Sequence, residues 1–211
     1  MKTINITQLV KWLENSALVM RENKDYLTKL DSDIGDADHG FNMERGFNKV
    51  LEKLDELSAS KDIASLFKNT GMTLISSIGG ASGPLYGTLF LQASIVLKDK
   101  TELNLRDLKD CLDNGVNGVK LRGKASIGDK TMIDVLDPVV QSLSDSLNAE
   151  LSISEALTDM VQVAEKGMKS TTDLIAKKGR ASYLGERSIG HQDAGATSSY
   201  LIVKSLKKAI N

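Results

Sequence analysis

The sequence predicts an all-α protein of eight helices in up-and-down order, and three observations carry that expectation. Apolar residues recur at helical spacing almost from end to end. Only Pro84 and Pro138 interrupt the 211 residues, and no sustained period-2 alternation marks a strand, which argues against an alternating β/α architecture. The length suits one well-buried domain. With 27 basic against 28 acidic residues and no basic stripe interleaved with aromatics, neither a nucleic acid nor a membrane surface is an expected partner. Cys111, the single cysteine, sits in an apolar periodic stretch and reads as a buried thiol. No cleavable leader pattern and no 18-residue apolar run is present, so the expected location is the cytoplasm.

Taken in order, Ile6, Leu9, Val10, Leu13, Ala17 and Met20 stripe a first helix, with a further turn set through Tyr26, Leu27 and Leu30. Met43, Phe47, Val50, Leu51 and Leu54 make a second. Asp62 caps a third that carries Ile63, Leu66, Phe67, Leu74, Ile75 and Ile78. An almost wholly apolar fourth helix spans Leu85 to Leu97, with Pro84 in its first turn. Leu105, Leu108, Leu112, Val116 and Val119 define a fifth. The sixth runs through Met132, Val135, Leu136, Val139, Val140, Leu143 and Leu147, and Pro138 should kink it or stand where a hydrogen bond is already missing. Ser152 and Glu155 form a capping box for a seventh helix striped by Leu157, Met160, Val161, Ala164, Met168 and Ile175, its methionines reading as core filler. Tyr200, Leu201, Val203 and Leu206 belong to the eighth.

Chemistry concentrates between the helices. Asp31, Asp36 and Asp38 follow a D-x4-D-x-D spacing with Gly35 and Gly40 as hinges, so a loop can fold back and aim three carboxylates at one point. A hard divalent cation relieves their repulsion, and Mg²⁺ is commonly held by a few carboxylates plus substrate phosphates. The same segment would also serve as a solvated loop with Asp caps; an EF-hand is excluded by its ligand register. Gly79 to Pro84 precedes the apolar helix, where glycines and a helix N-terminus suit an anion and Ser82 adds a hydroxyl; a tight turn between packed helices is the plainer reading. The standard nucleotide signatures are absent. Arg122 to Lys130 is a candidate lid. Lys177 to Thr197 is long for a structureless connection, which is then usually functional or disordered, and its Arg, His, Gly and hydroxyl content favours function; Arg180 and Arg187 are candidate phosphate clamps, or else solvated surface arginines. In up-and-down order all four loops fall on one rim, and together they supply what phosphoryl transfer requires.

Three motifs, Leu-Asp-x4-Asp-Ala-Asp-His-Gly-x-Asn-Met from Leu30, Gly-Gly-Ala-Ser-Gly-Pro-Leu-Tyr-Gly from Gly79 and Gly-Arg-Ala-Ser-Tyr-Leu-Gly-Glu-Arg-Ser-Ile-Gly-His-Gln-Asp from Gly179, together resemble the nucleotide-binding L subunits of bacterial dihydroxyacetone kinases. The resemblance covers essentially the whole chain. It implies a single nucleotide-binding domain over residues 1–211, an eight-helix antiparallel barrel with ADP or ATP at one rim, and two Mg²⁺ ions on Asp31, Asp36 and Asp38. Nucleotide contacts are implied for His39, Gly40, Phe41, Asn42, Ala81, Ser82, Gly123, Met132, Arg180, Asp193, Ala194 and Gly195, with Arg180 also acting on the transferring phosphoryl group. Two residues depart from the common pattern: Ala37 stands where many relatives have Gly, and Ala194 where Pro is common. His39 favours the dihydroxyacetone branch, because related fatty-acid kinase subunits carry Thr there. The implied partners are a subunit that holds dihydroxyacetone covalently through a histidine and, in the phosphotransferase-linked form, a phosphohistidine-carrying subunit that recharges bound ADP. Free ATP as donor, a fatty-acid kinase, a nucleotide-sensing module and a homodimer of the isolated chain all stay open at this level.

Overall fold

The computed structural model describes residues 3–59 and 62–210. Ten α-helices account for most of them: α1 (Ile6–Glu22), α2 (Lys24–Ile34), α3 (His39–Glu52), α4 (Leu54–Ser58), α5 (Ile63–Ser77), α6 (Ser82–Ile95), α7 (Leu105–Gly123), α8 (Ile133–Asn148), α9 (Ile153–Ser170) and α10 (Ala194–Ile210). Side-chain caps set several starts. Asn5 and Gln8 form a capping box on α1, Asn104 and Asp107 on α7, and Ser152 and Glu155 on α9, while Asp62 accepts from the Ser65 amide at 2.9 Å on α5. Ile4–Asn5 pairs antiparallel with Glu102–Leu103 and ties the start of α1 to the approach to α7.

Eight long helices, α1, α3 and α5 to α10, pack each on the next, and α10 packs back on α1. That neighbour order is the one an up-and-down ring requires. The interior is mainly apolar, and within it Trp12, Phe67 and Phe90 meet in tilted pairs with centroids 5.6–5.8 Å apart. The buried indole donates from Nε1 to the Ile202 carbonyl at 2.9 Å, which fastens α1 to α10. Helix α6 is apolar on every side because α5 and α7 flank it. Cys111 is buried as expected, and burial pushes its thiol up to about 12. Among the described residues no helix is long and apolar enough to cross a membrane.

Several expectations need adjusting. The first stripe breaks at Asn23, so α2 is a separate helix lying across α3 and α10, and Asp31 is still helical. Helix α9 ends at Ser170, which leaves Ile175 outside it and 41 % exposed. Helix α6 starts at Ser82, three residues before the predicted Leu85. Pro138 lies inside α8. Its missing N–H leaves the Asp134 carbonyl without its helical donor. Gly167 of α9 closes on that carbonyl, where an added Cβ would lie 2.2 Å from the oxygen. Residues 177–193 are not structureless either, since Arg180–Ser188 winds into 3-10 turns around Gly185.

Candidate functional site

A cavity of about 790 Å³ opens where the four polar loops meet, within the size range of small-ligand sites. Its wall is drawn from Asp31 to His39, Gly79 to Tyr86, Arg122 to Met132, Lys178 to Ala181 and Asp193 to Gly195.

The acidic loop begins in the last turn of α2. Gly35 ends that helix, and a Cβ there would lie 2.0 Å from Asp31 Oδ1, so no other residue lets the carboxylate keep its place. Ala37 takes a left-handed φ of 60°, which turns the chain back. The Asp38 and His39 amides then donate to Asp31 Oδ2 at 2.8 and 3.1 Å. With the loop folded this way, one carboxylate oxygen from each of Asp31, Asp36 and Asp38 lies within 4.8 Å of the other two. All three donors are hard oxygens, which fits Mg²⁺ and argues against soft or borderline metals. Arg180 reaches across from the 3-10 segment and holds Asp36 Oδ2 through Nε at 2.8 Å.

Opposite the carboxylates stands the N-terminus of α6. Gly80, at φ 62°, makes the turn, and Ala81 provides no side-chain cap. The first amides of α6 are therefore left for a ligand, and the helix dipole adds about half a positive charge there. Carboxylates for a cation and amides for an anion thus face one space.

Behind this wall lies a buried polar layer. His39 Nδ1 is 3.1 Å from Ser82 Oγ and Nε2 is 2.8 Å from Ser198 Oγ; burial pulls the imidazole down to about 4, so it is neutral near pH 7. Asp193 caps α10 by accepting from the Ala196 amide at 2.7 Å, and its desolvated setting, next to Asp134 and Asp31, pushes its carboxyl up to about 7. Lys130, fully buried at φ 62°, donates from Nζ to the carbonyls of Thr171 at 2.7 Å, Ser188 at 2.8 Å and Leu174 at 3.1 Å. Burial lowers its pKa, and Asp193 and Asp173 oppose that. Asp134 receives the Gly128 and Thr131 amides and so pins the end of the loop expected as a lid.

A family model described as the DAK2 domain matches residues 33–208. The chain belongs to the DAK2 domain family. This DAK2 chain is 51 % identical over 207 residues to the "PEP-dependent dihydroxyacetone kinase, ADP-binding subunit DhaL" of Escherichia coli, covering 98 % of both. It is 41 % identical over 210 residues to the "PTS-dependent dihydroxyacetone kinase, ADP-binding subunit DhaL" of Lactococcus lactis, covering all of both. Among solved structures, the dihydroxyacetone kinase of C. freundii in complex with AMP-PNP and Mg²⁺ superposes with a TM-score of 0.73 at 25 % identity. That match takes in 99 % of this chain and 34 % of the C. freundii chain, so the DAK2 domain corresponds to about a third of that larger kinase.

Of the residues expected at the site, Asp31, Asp36, Asp38, His39, Ala81, Ser82, Gly123, Met132, Arg180, Asp193, Ala194 and Gly195 line the cavity of this DAK2 domain. Gly40, Phe41 and Asn42 do not. Gly40 faces α2, where a Cβ would meet the Lys24 carbonyl at 2.0 Å. Phe41 points outward beneath the Lys24 ammonium, 5.2 Å from its centroid. Asn42 is turned to Arg45, accepting from Nη2 at 2.7 Å, and buttresses Gly79 from behind. The reason is helical: once α3 starts at His39, its next three residues point in different directions around the axis. Arg187 is exposed and outside the lining. Ala194 opens α10, a position that alanine and proline both suit. Sequence reasoning missed Tyr86, Lys130, Asp134 and Ser198. Tyr86 stood inside a quoted motif without a role; for the others, a polar residue in an apolar helix or at a loop end was the one available signal.

Proposed function

We propose that this chain is the ADP-binding subunit of a phosphoenolpyruvate-dependent dihydroxyacetone kinase, with residues 1–211 as one nucleotide-binding domain working in the cytoplasm. The observation that carries the reading is the cavity in which three clustered carboxylates face an uncapped helix N-terminus. The two DhaL relatives, matched over almost their full length, supply the substrate class.

In this reading Asp31, Asp36 and Asp38 hold two Mg²⁺ ions, which supply charge neutralisation on the phosphate oxygens. The α6 amides and Ser82 bind the phosphates, and Gly123 and Met132 flank the base. Arg180 leaves Asp36 to stabilise the γ-phosphoryl group as it passes to dihydroxyacetone on a partner subunit. The chain contributes no base; its work is positioning and electrostatics. ADP stays in place and a phosphohistidine-carrying subunit recharges it.

Two experiments test this. Asp36→Asn and Asp38→Asn should each abolish calorimetric binding of ADP in Mg²⁺ with helix content unchanged; parental affinity in both removes the metal assignment. Protein loaded with labelled ADP should keep its label through many turnovers with both partner subunits and excess unlabelled ADP. Label lost as fast as product forms would identify an ordinary ATP-consuming subunit.

A further inference from the structure

Lys130 is buried, borders the cavity and has no part in the chemistry above. Its ammonium lies where the chain from Thr171 to Asp193 enters and leaves a loop. The Gly190 amide donates to the Thr172 carbonyl at 2.8 Å, the Ala176 amide to Ser188 Oγ at 2.9 Å and the Asp193 amide to Thr171 Oγ1 at 3.1 Å, so residues 171–176 and 188–193 lie side by side. Into that neck Lys130 sends Nζ, which lies 2.7 Å from the Thr171 carbonyl, 2.8 Å from that of Ser188, 3.1 Å from that of Leu174 and 3.5 Å from that of Thr172.

Main-chain carbonyls gathered around one positive charge are the means by which a protein replaces the hydration shell of a monovalent cation. An ammonium has three donors, and here the three nearest carbonyls take them. None is left for a ligand phosphate, so Lys130 does not act on a nucleotide directly. Asp129, next to it in sequence, pairs with Lys177 and Lys178 instead. What hangs from the neck is the stretch that bears Arg180, whose Nε is 2.8 Å from Asp36 Oδ2. The outer contacts of the loop, made by Arg180, Lys177 and Lys178, use side chains that are 69 %, 59 % and 36 % exposed, and ion pairs of that kind hold little. The neck is buried, and there a lost charged donor is felt far more strongly. A neutral side chain of the same length would fill the space and leave the Leu174 and Ser188 carbonyls without the Nζ donor.

We propose that Lys130 is a positioning residue of the phosphoryl-transfer site: its ammonium closes the neck of the 171–193 loop as a bound monovalent cation would, and its charge thereby sets where Arg180 meets the ligand. The role of Arg180 rests on the nucleotide reading above; the closure of the neck does not.

Chemical complementation tests this. Lys130 has a φ of 62°, which glycine adopts without strain, so Lys130→Gly keeps the backbone and opens a channel for n-butylammonium, the lysine side chain as a free molecule. The readout is calorimetry with Mg-AMP-PNP, a triphosphate analogue. Lys130→Gly should bind it about tenfold more weakly, as loss of one hydrogen bond to a charged group does. n-Butylammonium should restore the affinity, and 1-butanol, of the same shape without the charge, should not. Rescue by both, or by neither, overturns the proposal. Lys130→Met, which keeps the stem, should show the same loss, and parental affinity in it would overturn the proposal too. In the Arg180→Ala background n-butylammonium should bring Lys130→Gly no gain; a full tenfold gain there would mean that Lys130 does not act through Arg180. Loss of the cooperative thermal transition in both Lys130 variants would place this residue in the helical bundle and equally overturn its positioning role. If the parent protein fails to bind Mg-AMP-PNP, the nucleotide reading falls, and the neck is read by limited proteolysis of ligand-free Lys130→Gly. There n-butylammonium, and not 1-butanol, should suppress cleavage between residues 174 and 190; protection by both or by neither overturns closure by charge.

Discussion

At Ala37 a single methyl works against the loop. Its φ of 60° costs an L-residue about 1–2 kcal/mol relative to glycine, part of which glycine returns through its freer unfolded chain. Ala37→Gly should therefore raise stability by roughly 1 kcal/mol, read as a shift of the urea midpoint at constant m-value. Asp193 and His39 make a second prediction, with opposite signs. Asp193 titrates near 7 in the folded state against 3.8 unfolded, so between those values the folded state binds the extra proton and stability falls as pH rises. His39 titrates near 4 folded against 6.5 unfolded, so there the unfolded state binds the extra proton and stability rises with pH. The two slopes oppose each other between about pH 4 and 6.5. Asp193→Asn keeps the helix cap and removes one slope. Its urea midpoint should climb from pH 4.5 to 6.5 more steeply than the parent's; parallel profiles would contradict the assignment of Asp193.

Among the elements, the segment from Thr171 to Ser188 depends on one side chain from another loop. Lys130 Nζ gathers carbonyls from both ends of that segment, and the Ser188 hydroxyl closes it further by accepting from the Ala176 amide at 2.9 Å. Lys130→Met removes the Nζ donor from the Leu174 and Ser188 carbonyls, at roughly 1–3 kcal/mol for each buried group left unpaired, while the Thr171 carbonyl keeps the Leu174 amide. Limited proteolysis of the variant should cut first between residues 174 and 190, and Mg-ADP affinity should drop because Arg180 is carried there. Cleavage within α8 or α9 ahead of that segment would show that Lys130 holds the bundle and not the loop.

Over the whole molecule, the cavity joins loops that are far apart in the chain, so a ligand filling it should stiffen the fold. Mg-ADP at about 100 times its dissociation constant adds roughly 2.7 kcal/mol. For a chain of this size that is a Tm rise of roughly 5–10 °C, measurable by calorimetry with and without Mg-ADP. Equal Tm values at saturating ligand would contradict binding at the rim.

The eight long helices, the caps at Asp62 and Ser152 and the four polar loops were legible in the sequence, because periodicity and a capping side chain act within a few residues of themselves; the capping boxes at Asn5 and Asn104 and the separate helices α2 and α4 were not read there. The carboxylate triad was legible for the same reason: Asp31, Asp36 and Asp38 are joined by a short loop with glycine and Ala37 at its turns. Tertiary structure alone decided the rest. Whether a residue near a motif reaches the cavity depends on where its helix starts, and the start of α3 at His39 turned Phe41 and Asn42 away. Lys130 and Thr171 are 41 positions apart, and Tyr86 and Ser198 are 112. Partners at that separation leave no periodic trace, since buried hydrogen bonding is a property of the space between helices and not of the chain along any one of them.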